Sequence, residues 1–400
     1  MKNACIVLRN CKDSLSAVDF GCVADAFLSG GYAFSEIRIL SSEEEKEFSD
    51  AFSALRAEAE NLAVVLPSES LIAVGSRLAA LLGAPCSRRT LSGAGIFEKG
   101  DFTLFLLAAD KGEAGAEYVR GVCVPFLEGK YGIRYDRMVL RAVGAEPERV
   151  RRLLAEAKRM SGDRLTYNYR RRYAEDVIEI VYDSSVPRML TDDVLRLLAE
   201  GLGDSVYALD DTPIEKRLVQ LLKLRDKKIS VAESFTGGGV ARRIVSVPGA
   251  SEVYFEGLNT YDERAKIKRL GVSEYTLGTM GAVSDETAYE MASGLIATGD
   301  CDIAVATTGL AGPRSDRTEL PVGLCYLAVG LKEKVYVYRH RFSGSREDIT
   351  ETAINYALFL AYRQLKNLRK KQKNTGVKWI WQTKRPMAKK RGGIRSTPTR

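Results

Sequence analysis

Short apolar runs alternate with stretches of helical periodicity in the first part of the chain. The apolar runs Ala4–Leu8, Leu62–Leu66 and Phe102–Ala108 predict buried strands. Phe20–Leu28 and Ser70–Leu82 have the spacing of helices. Strands that alternate with helices favour an α/β fold with a parallel sheet, and we predict this for residues 1–136.

The next part of the chain has a different pattern. Pro147–Met160 has an apolar stripe typical of an amphipathic helix, and Asp192–Glu200 predicts a second helix. Between them, Leu165–Tyr169 and Val177–Tyr182 alternate as strands do. Two helices around two strands predict a small α+β module, similar to a KH domain, over residues 137–210.

Strands and helices alternate again from residue 211, where we predict an α/β sandwich that ends at residue 368. The predicted strands are Ile229–Ala232, Val253–Tyr261, Ile303–Thr307 and a hairpin of Val322–Val329 with Lys334–Phe342. The predicted helices are Val240–Val245, Asp262–Leu270, Asp285–Thr298 and a closing helix, Arg346–Leu368.

Charge is concentrated at the end of the chain. The net charge is +8, but residues 369–400 hold twelve Lys or Arg and no acidic residue, so residues 1–368 carry about −4. We predict that residues 369–400 are a disordered basic tail. Lys and Arg interleaved with Trp379 and Trp381 suit nucleic acid or an acidic membrane surface, and any nucleic-acid binding is confined to this tail; the favoured interpretation is a solvated extension without function.

Composition excludes several classes of protein. Seven cysteines without a C-x-x-C pair predict reduced core thiols, and therefore neither zinc nor disulfides. No run of about 18 apolar residues is present, so we expect no membrane span. The N-terminal apolar run is too short for a secretory signal, and a cytoplasmic protein is expected.

The sequence Ala232-Glu233-Ser234-Phe235-Thr236-Gly237-Gly238-Gly239 carries the main chemical signal. It places a serine between the end of a strand and the glycine-rich start of a helix. The first N–H groups of a helix have no partner within the helix. Such a position can bind a phosphate, or it can present Ser234 as a nucleophile beside donors for an oxyanion.

A serine nucleophile needs a base. The single histidine, His340, lies in a strand between arginines, and we predict that it packs there. A Ser-His-Asp triad is therefore not expected, which leaves a lysine with a lowered pKa, helped by a tyrosine. Tyr261 ends a predicted strand and Lys266 lies one turn into the next helix, so both can meet Ser234 at the carboxyl edge of the sheet. From spacing alone, the favoured interpretation of Lys266 is an ordinary surface lysine.

Two further loops are expected at the same edge. Thr307–Pro313 follows a strand and contains Thr308, Gly309 and Gly312, which suit close contact with a ligand. Arg346 follows Gly344-Ser345 at the start of the last helix, where an arginine and free N–H groups suit a phosphate.

The ordered motifs of residues 212–365 resemble the C-terminal domain of the competence- and damage-inducible CinA family, the nicotinamide-nucleotide amidases. The segments that carry this resemblance are Ala232–Gly238, Val247–Ser251, Gly257, Thr260-Tyr261 with Lys266, Gly271-Val272, Gly281–Ser284, Met291–Gly294, Thr308–Pro313 and Pro321–Gly323.

The resemblance implies a hydrolase that converts nicotinamide mononucleotide into nicotinate mononucleotide and ammonia. It implies a catalytic set of Ser234, Lys266 and Tyr261 without metal or cofactor. The substrate is then expected to contact Thr236, Gly237, Gly238, Thr308, Gly309, Gly312 and Arg346, and the N–H groups of residues 236–238 are expected to stabilise the oxyanion. We expect a small-molecule nucleotide as partner and a homo-oligomer, a dimer, as the assembly.

Three departures from the family pattern are visible. Phe235 replaces the cysteine usual after the serine, and a ring there is expected to reshape the pocket. Residues 314–320 lack the usual glycines and lysine. Full-length relatives begin with a molybdopterin-binding-like domain that carries an early Gly-x-Glu segment and a later glycine loop followed by acidic residues. Here these positions are Leu8–Asp13 and Leu66–Ser70, and neither the glycine loop nor the acidic pair is present.

We therefore interpret residues 1–136 as a degenerate copy of that domain, without the ADP-ribose pyrophosphatase activity of some relatives. The alternative function for the whole chain is a catalytically impaired nucleotide-binding or regulatory protein linked to competence or DNA damage.

Overall fold

The computed structural model describes residues 2–9, 20–42, 44–90, 93–110, 114–313 and 319–376. The chain packs into two compact units. Among the described residues, one unit comprises those within 2–140, 146–170 and 177–203, and the other comprises those within 141–145, 171–176 and 204–376. The predicted domain boundaries at 136/137 and 210/211 stay predictions.

The N-terminal region contains a six-stranded sheet with helices. Its strands are β1 (Asn3–Arg9), β2 (Glu36–Ser41), β3 (Asn61–Leu66), β4 (Cys86–Arg89), β5 (Gly95–Lys99) and β6 (Phe102–Ala108). Its helices are α1 (Phe20–Ser29), α2 (Glu45–Glu58), α3 (Leu71–Leu82), α4 (Ala114–Tyr118) and α5 (Val124–Tyr131).

The strand order is β2-β1-β3-β6-β5-β4. The first four strands of this order pair in parallel, and β5 and β4 are antiparallel. The predicted α/β class with a parallel sheet is confirmed. β2 escaped the sequence pattern because it is an edge strand whose Ile37 and Ile39 remain exposed. The molybdopterin-binding-like character of this region stays a prediction.

The middle region has a second sheet, in the order β10-β7-β9-β8. Its elements are β7 (Tyr135–Val143), α6 (Pro147–Ser161), β8 (Thr166–Arg172), β9 (Glu175–Asp183), α7 (Arg188–Leu202) and β10 (Val206–Ala208). The predicted helix–strand–strand–helix order is confirmed.

The C-terminal region has a five-stranded sheet, in the order β12-β11-β13-β14-β15. Its strands are β11 (Ile229–Glu233), β12 (Tyr254–Asn259), β13 (Ile303–Gly309), β14 (Leu324–Leu331) and β15 (Lys334–Arg341). Its helices are α8 (Ile214–Leu224), α9 (Gly239–Val245), α10 (Glu263–Leu270), α11 (Glu274–Thr279), α12 (Asp285–Ala297) and α13 (Arg346–Gly376).

Helices cover both faces of this sheet. Apolar residues of α8, α9 and α13 share one buried cluster with β11, and residues of α10, α11 and α12 share the other. β11, β12 and β13 are parallel, while β14 and β15 form the predicted antiparallel hairpin. The carboxyl ends of the three parallel strands therefore meet at one edge, which is where an open α/β sheet binds ligands.

The last helix is longer than expected. α13 ends at Gly376 rather than at Leu368, so residues 369–376 continue the helix and are not part of a disordered tail. Lysine, arginine and glutamine are good helix formers, which favours this continuation. Residues 377–400, with Trp379 and Trp381, lie outside the described residues.

Candidate active site

Ser234 lies directly after β11, in a tight turn that leads into α9. Its main-chain N–H donates to the carbonyl of Thr307, at the end of the neighbouring β13, at 3.0 Å. Gly237 and Gly238 have φ of 60° and 94°, a backbone conformation that glycine adopts without strain. The turn therefore needs glycine at both positions to bring the chain from the strand into the helix.

The period of two along β11 decides which way Ser234 faces. Val231 and Phe235 lie in the cluster shared with α9 and α13, whereas Ala232 lies in the cluster on the opposite face. Ser234 shares the side of Ala232 and so faces α10. Its side chain is buried there, with 8% of its surface exposed.

Lys266 reaches Ser234 from α10. Asp262 caps this helix by accepting from the N–H of Arg264 at 2.8 Å, and Lys266 follows one turn later. Lys266 is 1% exposed, and its Nζ lies 3.1 Å from Ser234 Oγ. Spacing alone favoured a surface lysine, whereas the structure places this side chain in the core beside the serine.

Burial lowers the pKa of the Lys266 amine, because the charged form loses its hydration. The nearby carboxylates of Glu263 and Asp262 act in the opposite direction but do not reverse the shift. The fraction of neutral amine at a given pH is therefore larger than for an exposed lysine, as a general base requires.

Two main-chain carbonyls orient the amine. Lys266 Nζ donates to the carbonyl of Thr260 at 2.6 Å and to that of Tyr261 at 3.2 Å. A neutral amine has two N–H donors and one lone pair. If both donors serve these carbonyls, the lone pair is left for the Ser234 hydroxyl, which is the geometry of a base about to accept its proton.

Tyr261 contacts Lys266 through its main-chain carbonyl, whereas its side chain is 64% exposed. The expectation that three side chains meet is thus fulfilled for Ser234 and Lys266, and in this conformation the Tyr261 ring lies in solvent. Both Thr260 and Tyr261 follow the end of β12; Thr260 is buried, whereas Tyr261 is exposed.

The glycine-rich turn uses most of its own N–H groups. Gly237 N donates to the Ser234 carbonyl at 3.1 Å, and Gly238 N donates to the Glu233 carboxylate at 3.1 Å. These two glycines are therefore not free to donate to an oxyanion, contrary to expectation. The N–H groups of Phe235 and Thr236 have no partner among the described residues and are the remaining candidates.

Phe235 does not shape the pocket as its bulk led us to expect. Its ring is 6% exposed and belongs to the apolar cluster with Val240, Ile244 and Ile349. The reason is again the period of two, which turns Phe235 away from Ser234 and into the core under α9 and α13.

The hydroxyl of Thr308 is occupied by the protein itself. Thr308 is 1% exposed, and its Oγ1 donates to the Ala282 carbonyl at 2.5 Å. A side chain added at Gly309 would place its Cβ 2.5 Å from that of Cys325, so this glycine serves the close approach of β13 and β14. Both residues therefore have structural roles at the predicted ligand edge.

Arg346 holds the loop after β13 with one of its N–H groups. Its Nη1 donates to the Gly312 carbonyl at 2.7 Å, which joins the start of α13 to the loop after β13. The carboxylate of Asp348 accepts from the N–H and hydroxyl of Ser345 at 2.8 and 2.7 Å. The start of α13 thus already carries a negative charge, which disfavours a phosphate on its N–H groups.

His340 packs in the sheet, as predicted. Its ring lies 5.3 Å from that of Phe342 and 4.7 Å from that of Tyr356. Burial and the charge of Arg363 lower its pKa. The residues described by the structure contain no group of three or more His, Cys, Asp or Glu side chains able to hold a metal ion.

The C-terminal region is similar to proteins of one known family. Residues 211–365 match the family model of the CinA C-terminal domain. A competence/damage inducible protein of known crystal structure from Agrobacterium tumefaciens is 35% identical; the match covers 38% of this chain and 93% of that one, with a TM-score of 0.37. The chain belongs to the CinA family.

Curated relatives extend the match beyond the C-terminal region. A putative competence-damage inducible protein of Caldicellulosiruptor saccharolyticus is 37% identical over 60% of this chain and 58% of its own length. A CinA-like protein of Endomicrobium trichonymphae is 34% identical over 66% of this chain and 63% of its own length. The chain thus matches less than two thirds of either relative.

Two site features escaped the sequence interpretation of this CinA domain. One is the buried carboxylate of Glu233; the other is the pair of carbonyls at Thr260 and Tyr261 that orients Lys266. The spacing Ile229, Val231, Glu233, Phe235 offered a signal for the first, because it places Glu233 on a core face.

No helix in the described part of the chain is long and apolar enough to cross a membrane.

Proposed function

We propose that the C-terminal domain hydrolyses the carboxamide of nicotinamide mononucleotide, giving nicotinate mononucleotide and ammonia. The observation that carries the proposal is the buried Lys266 Nζ, 3.1 Å from Ser234 Oγ and held by two carbonyls. The substrate comes from the resemblance of the ordered motifs to the nicotinamide-nucleotide amidases. The names of the relatives state no activity.

The proposed reaction has two stages. Ser234 Oγ attacks the carboxamide carbon while neutral Lys266 takes the hydroxyl proton. Lys266 then gives this proton to the amide nitrogen, the C–N bond breaks, and ammonia leaves an ester on Ser234. Water attacks that ester, with Lys266 taking a proton from the water and returning it to Ser234 Oγ as nicotinate mononucleotide leaves.

The N–H groups of Phe235 and Thr236 are the proposed donors to the oxyanion. The residue after a serine nucleophile commonly supplies such a donor. Loss of one donor of this kind costs about 2.7–4 kcal/mol of transition-state stabilisation. Since both donors are main-chain groups, the identity of the side chain at 235 matters for packing and not for this contact.

The remaining contacts with substrate are also proposals. Arg346 uses one donor on Gly312, and its guanidinium keeps further N–H groups for a phosphate. Thr308, Gly309 and Gly312 are proposed to line the substrate site at the same edge of the sheet. Tyr261 is proposed to relay or orient the proton after its exposed ring turns toward the substrate.

The rest of the chain is assigned by resemblance. We propose that residues 1–136 lack ADP-ribose pyrophosphatase activity, because the glycine loop and acidic residues of active relatives are missing from the sequence. A homodimer, a cytoplasmic location and nucleic-acid contacts limited to the basic end of the chain belong to the same set of proposals.

Trapping the ester tests the proposal. The chain is mixed with nicotinamide mononucleotide, quenched in acid within milliseconds to seconds, digested and analysed by mass spectrometry. We expect the peptide with Ser234 to carry the nicotinate mononucleotide acyl group, and Ser234→Ala to carry none. Tight binding of the nucleotide with neither ester nor ammonia would favour the alternative of a non-catalytic nucleotide-binding protein.

A further inference from the structure

Glu233 is a buried acid next to the serine, and the proposed reaction gives it no role. It is 1% exposed and ends β11. Because side chains alternate along the strand, Glu233 points toward α9 while Ser234 points toward α10. It therefore does not face Lys266 as a third member of a triad would.

The Glu233 carboxylate is satisfied by four donors. Oε2 accepts from Gly238 N at 3.1 Å, Val240 N at 3.0 Å and Thr236 Oγ1 at 2.7 Å, and Oε1 accepts from Ala241 N at 2.8 Å. Three of these donors are N–H groups at the start of α9, where negative charge is favoured. The contacts compensate for the burial of an acid that otherwise costs several kcal/mol.

These contacts fix the turn that carries the nucleophile. Thr236 Oγ1 lies 2.7 Å from both Glu233 Oε2 and Thr307 Oγ1, so the middle of the turn is tied to β11 and β13 at once. Ser234 N is tied to the Thr307 carbonyl at 3.0 Å. Because the N–H groups at the start of α9 donate to Glu233, the N–H groups of the turn that are left free are those of Phe235 and Thr236, beside the serine.

We propose that Glu233 is a positioning residue, whose carboxylate clamps the turn of residues 234–238 so that Ser234 Oγ stays in reach of Lys266 and two N–H groups stay free for the oxyanion. This inference rests on the proposed serine nucleophile and deepens it. It also assigns the start of α9 to the protein's own carboxylate, which removes this helix as a phosphate site.

Glu233→Gln tests the clamp. Glutamine keeps the size, but it offers one acceptor oxygen in place of two and turns an NH2 group toward N–H donors. A displacement of about 1 Å in a catalytic group costs on the order of 100-fold in rate. We expect kcat for ammonia release to fall about 10- to 100-fold, with KM within about twofold of the wild type.

A fluorophosphonate probe separates this inference from the substrate assignment. The probe forms an O–P bond with Ser234 and releases fluoride, with no need for a nucleotide. We expect Glu233→Gln to slow labelling of Ser234 by about 10-fold or more. This comparison decides the role of Glu233 even if the wild type releases no ammonia, which would refute the substrate alone.

Glu290→Gln is the matched control. Glu290 also holds the start of a helix, by accepting from Ser273 N at 2.8 Å and Thr276 Oγ1 at 2.7 Å, but it does not contact the Ser234 turn. We expect it to lower the melting temperature and leave labelling unchanged. Equal labelling of Glu233→Gln and wild type would overturn the proposal, as would an equal loss in Glu290→Gln.

A milder variant guards against a failure to fold. Thr236→Val keeps the shape of the side chain and removes one of the four donors to Glu233. We expect labelling to slow by about threefold, which is the partial loss that one contact of the clamp supports. If Glu233→Gln does not fold, an unchanged labelling rate in Thr236→Val overturns the proposal.

Discussion

Replacing Lys266 by methionine removes the base and little else. Methionine fills nearly the same volume, so the loss is the amine and its contacts with Ser234, Thr260 and Tyr261. General acid–base catalysis by a positioned side chain contributes about 100- to 10,000-fold. Since Lys266 acts in both stages of the proposed reaction, we expect kcat to fall about 1,000-fold or more, which is about 4 kcal/mol.

The stability cost of this change is modest. The Thr260 carbonyl is left in the core without its donor, which lowers the free energy of unfolding by about 1–3 kcal/mol. The part-buried Tyr261 carbonyl can accept from water instead. Burying a thioether in place of an amine recovers part of this. We expect a melting temperature lower by about 2–10 °C, since 1 kcal/mol corresponds to about 2–4 °C in a domain of this size.

The assay measures ammonia release and thermal unfolding of the same preparations. Lys268→Met is the control, because Lys268 lies on the same helix, undergoes the same substitution and is exposed. We expect Lys268→Met to keep the wild-type kcat. A folded Lys266→Met that keeps more than about a tenth of the wild-type kcat would refute the assignment of Lys266 as the base.

Three further outcomes are expected. Only the neutral amine accepts the serine proton, so kcat/KM should rise with pH through the Lys266 pKa. Because burial lowers this pKa, the midpoint should lie below the ordinary value for lysine, and a midpoint at or above that value would contradict this account. Gly238→Ala should lower the free energy of unfolding by about 1–2 kcal/mol because its φ is 94°, whereas Gly278→Ala in α11, where an added Cβ meets open space, should be neutral or stabilising; denaturant titration distinguishes them. Phe235→Leu should cost about 1.5 kcal/mol or less of unfolding free energy and leave KM unchanged, since the ring packs in the core; a large change in KM would place the ring in the pocket after all.

Two central strands of the C-terminal sheet were predictable because they are short apolar runs. Ile229–Ala232 and Ile303–Thr307 were recognised from this pattern, and both lie in the centre of the sheet. The helix predicted from Asp262 was also found, and Asp262 accepts from Arg264 N at the start of that helix. The edge strand β2 lacked such a signal, because an edge strand needs fewer apolar residues.

The site was predictable in part, and its failures share a physical cause. Motif spacing located Ser234 and Lys266, but the directions of side chains at strand ends depend on the register of the sheet. That register turned Tyr261 outward and Phe235 into the core. Donors of the turn were also misassigned, because only the three-dimensional structure places the Glu233 carboxylate over the start of α9.

Arg346 illustrates a different limit. A glycine, a serine and an arginine at the start of a helix suit a phosphate equally well in any sequence. In the structure, one N–H of the guanidinium donates to the Gly312 carbonyl, and the Asp348 carboxylate accepts from the N–H of Ser345 at the start of the helix. Side chains that satisfy main-chain groups elsewhere in the fold cannot be distinguished from ligand contacts by spacing alone.

The most direct test of the central claim is ammonia release from nicotinamide mononucleotide by the purified chain and by Ser234→Ala. The Ser234–Lys266 site predicts steady release of one ammonia for each nicotinate mononucleotide formed by the wild type. It predicts that the rate of ammonia release falls by about 1,000-fold or more in Ser234→Ala, while the melting temperature stays within a few degrees of that of the wild type. Equal rates in the two proteins, or binding of the nucleotide without release of ammonia by the wild type, would contradict it.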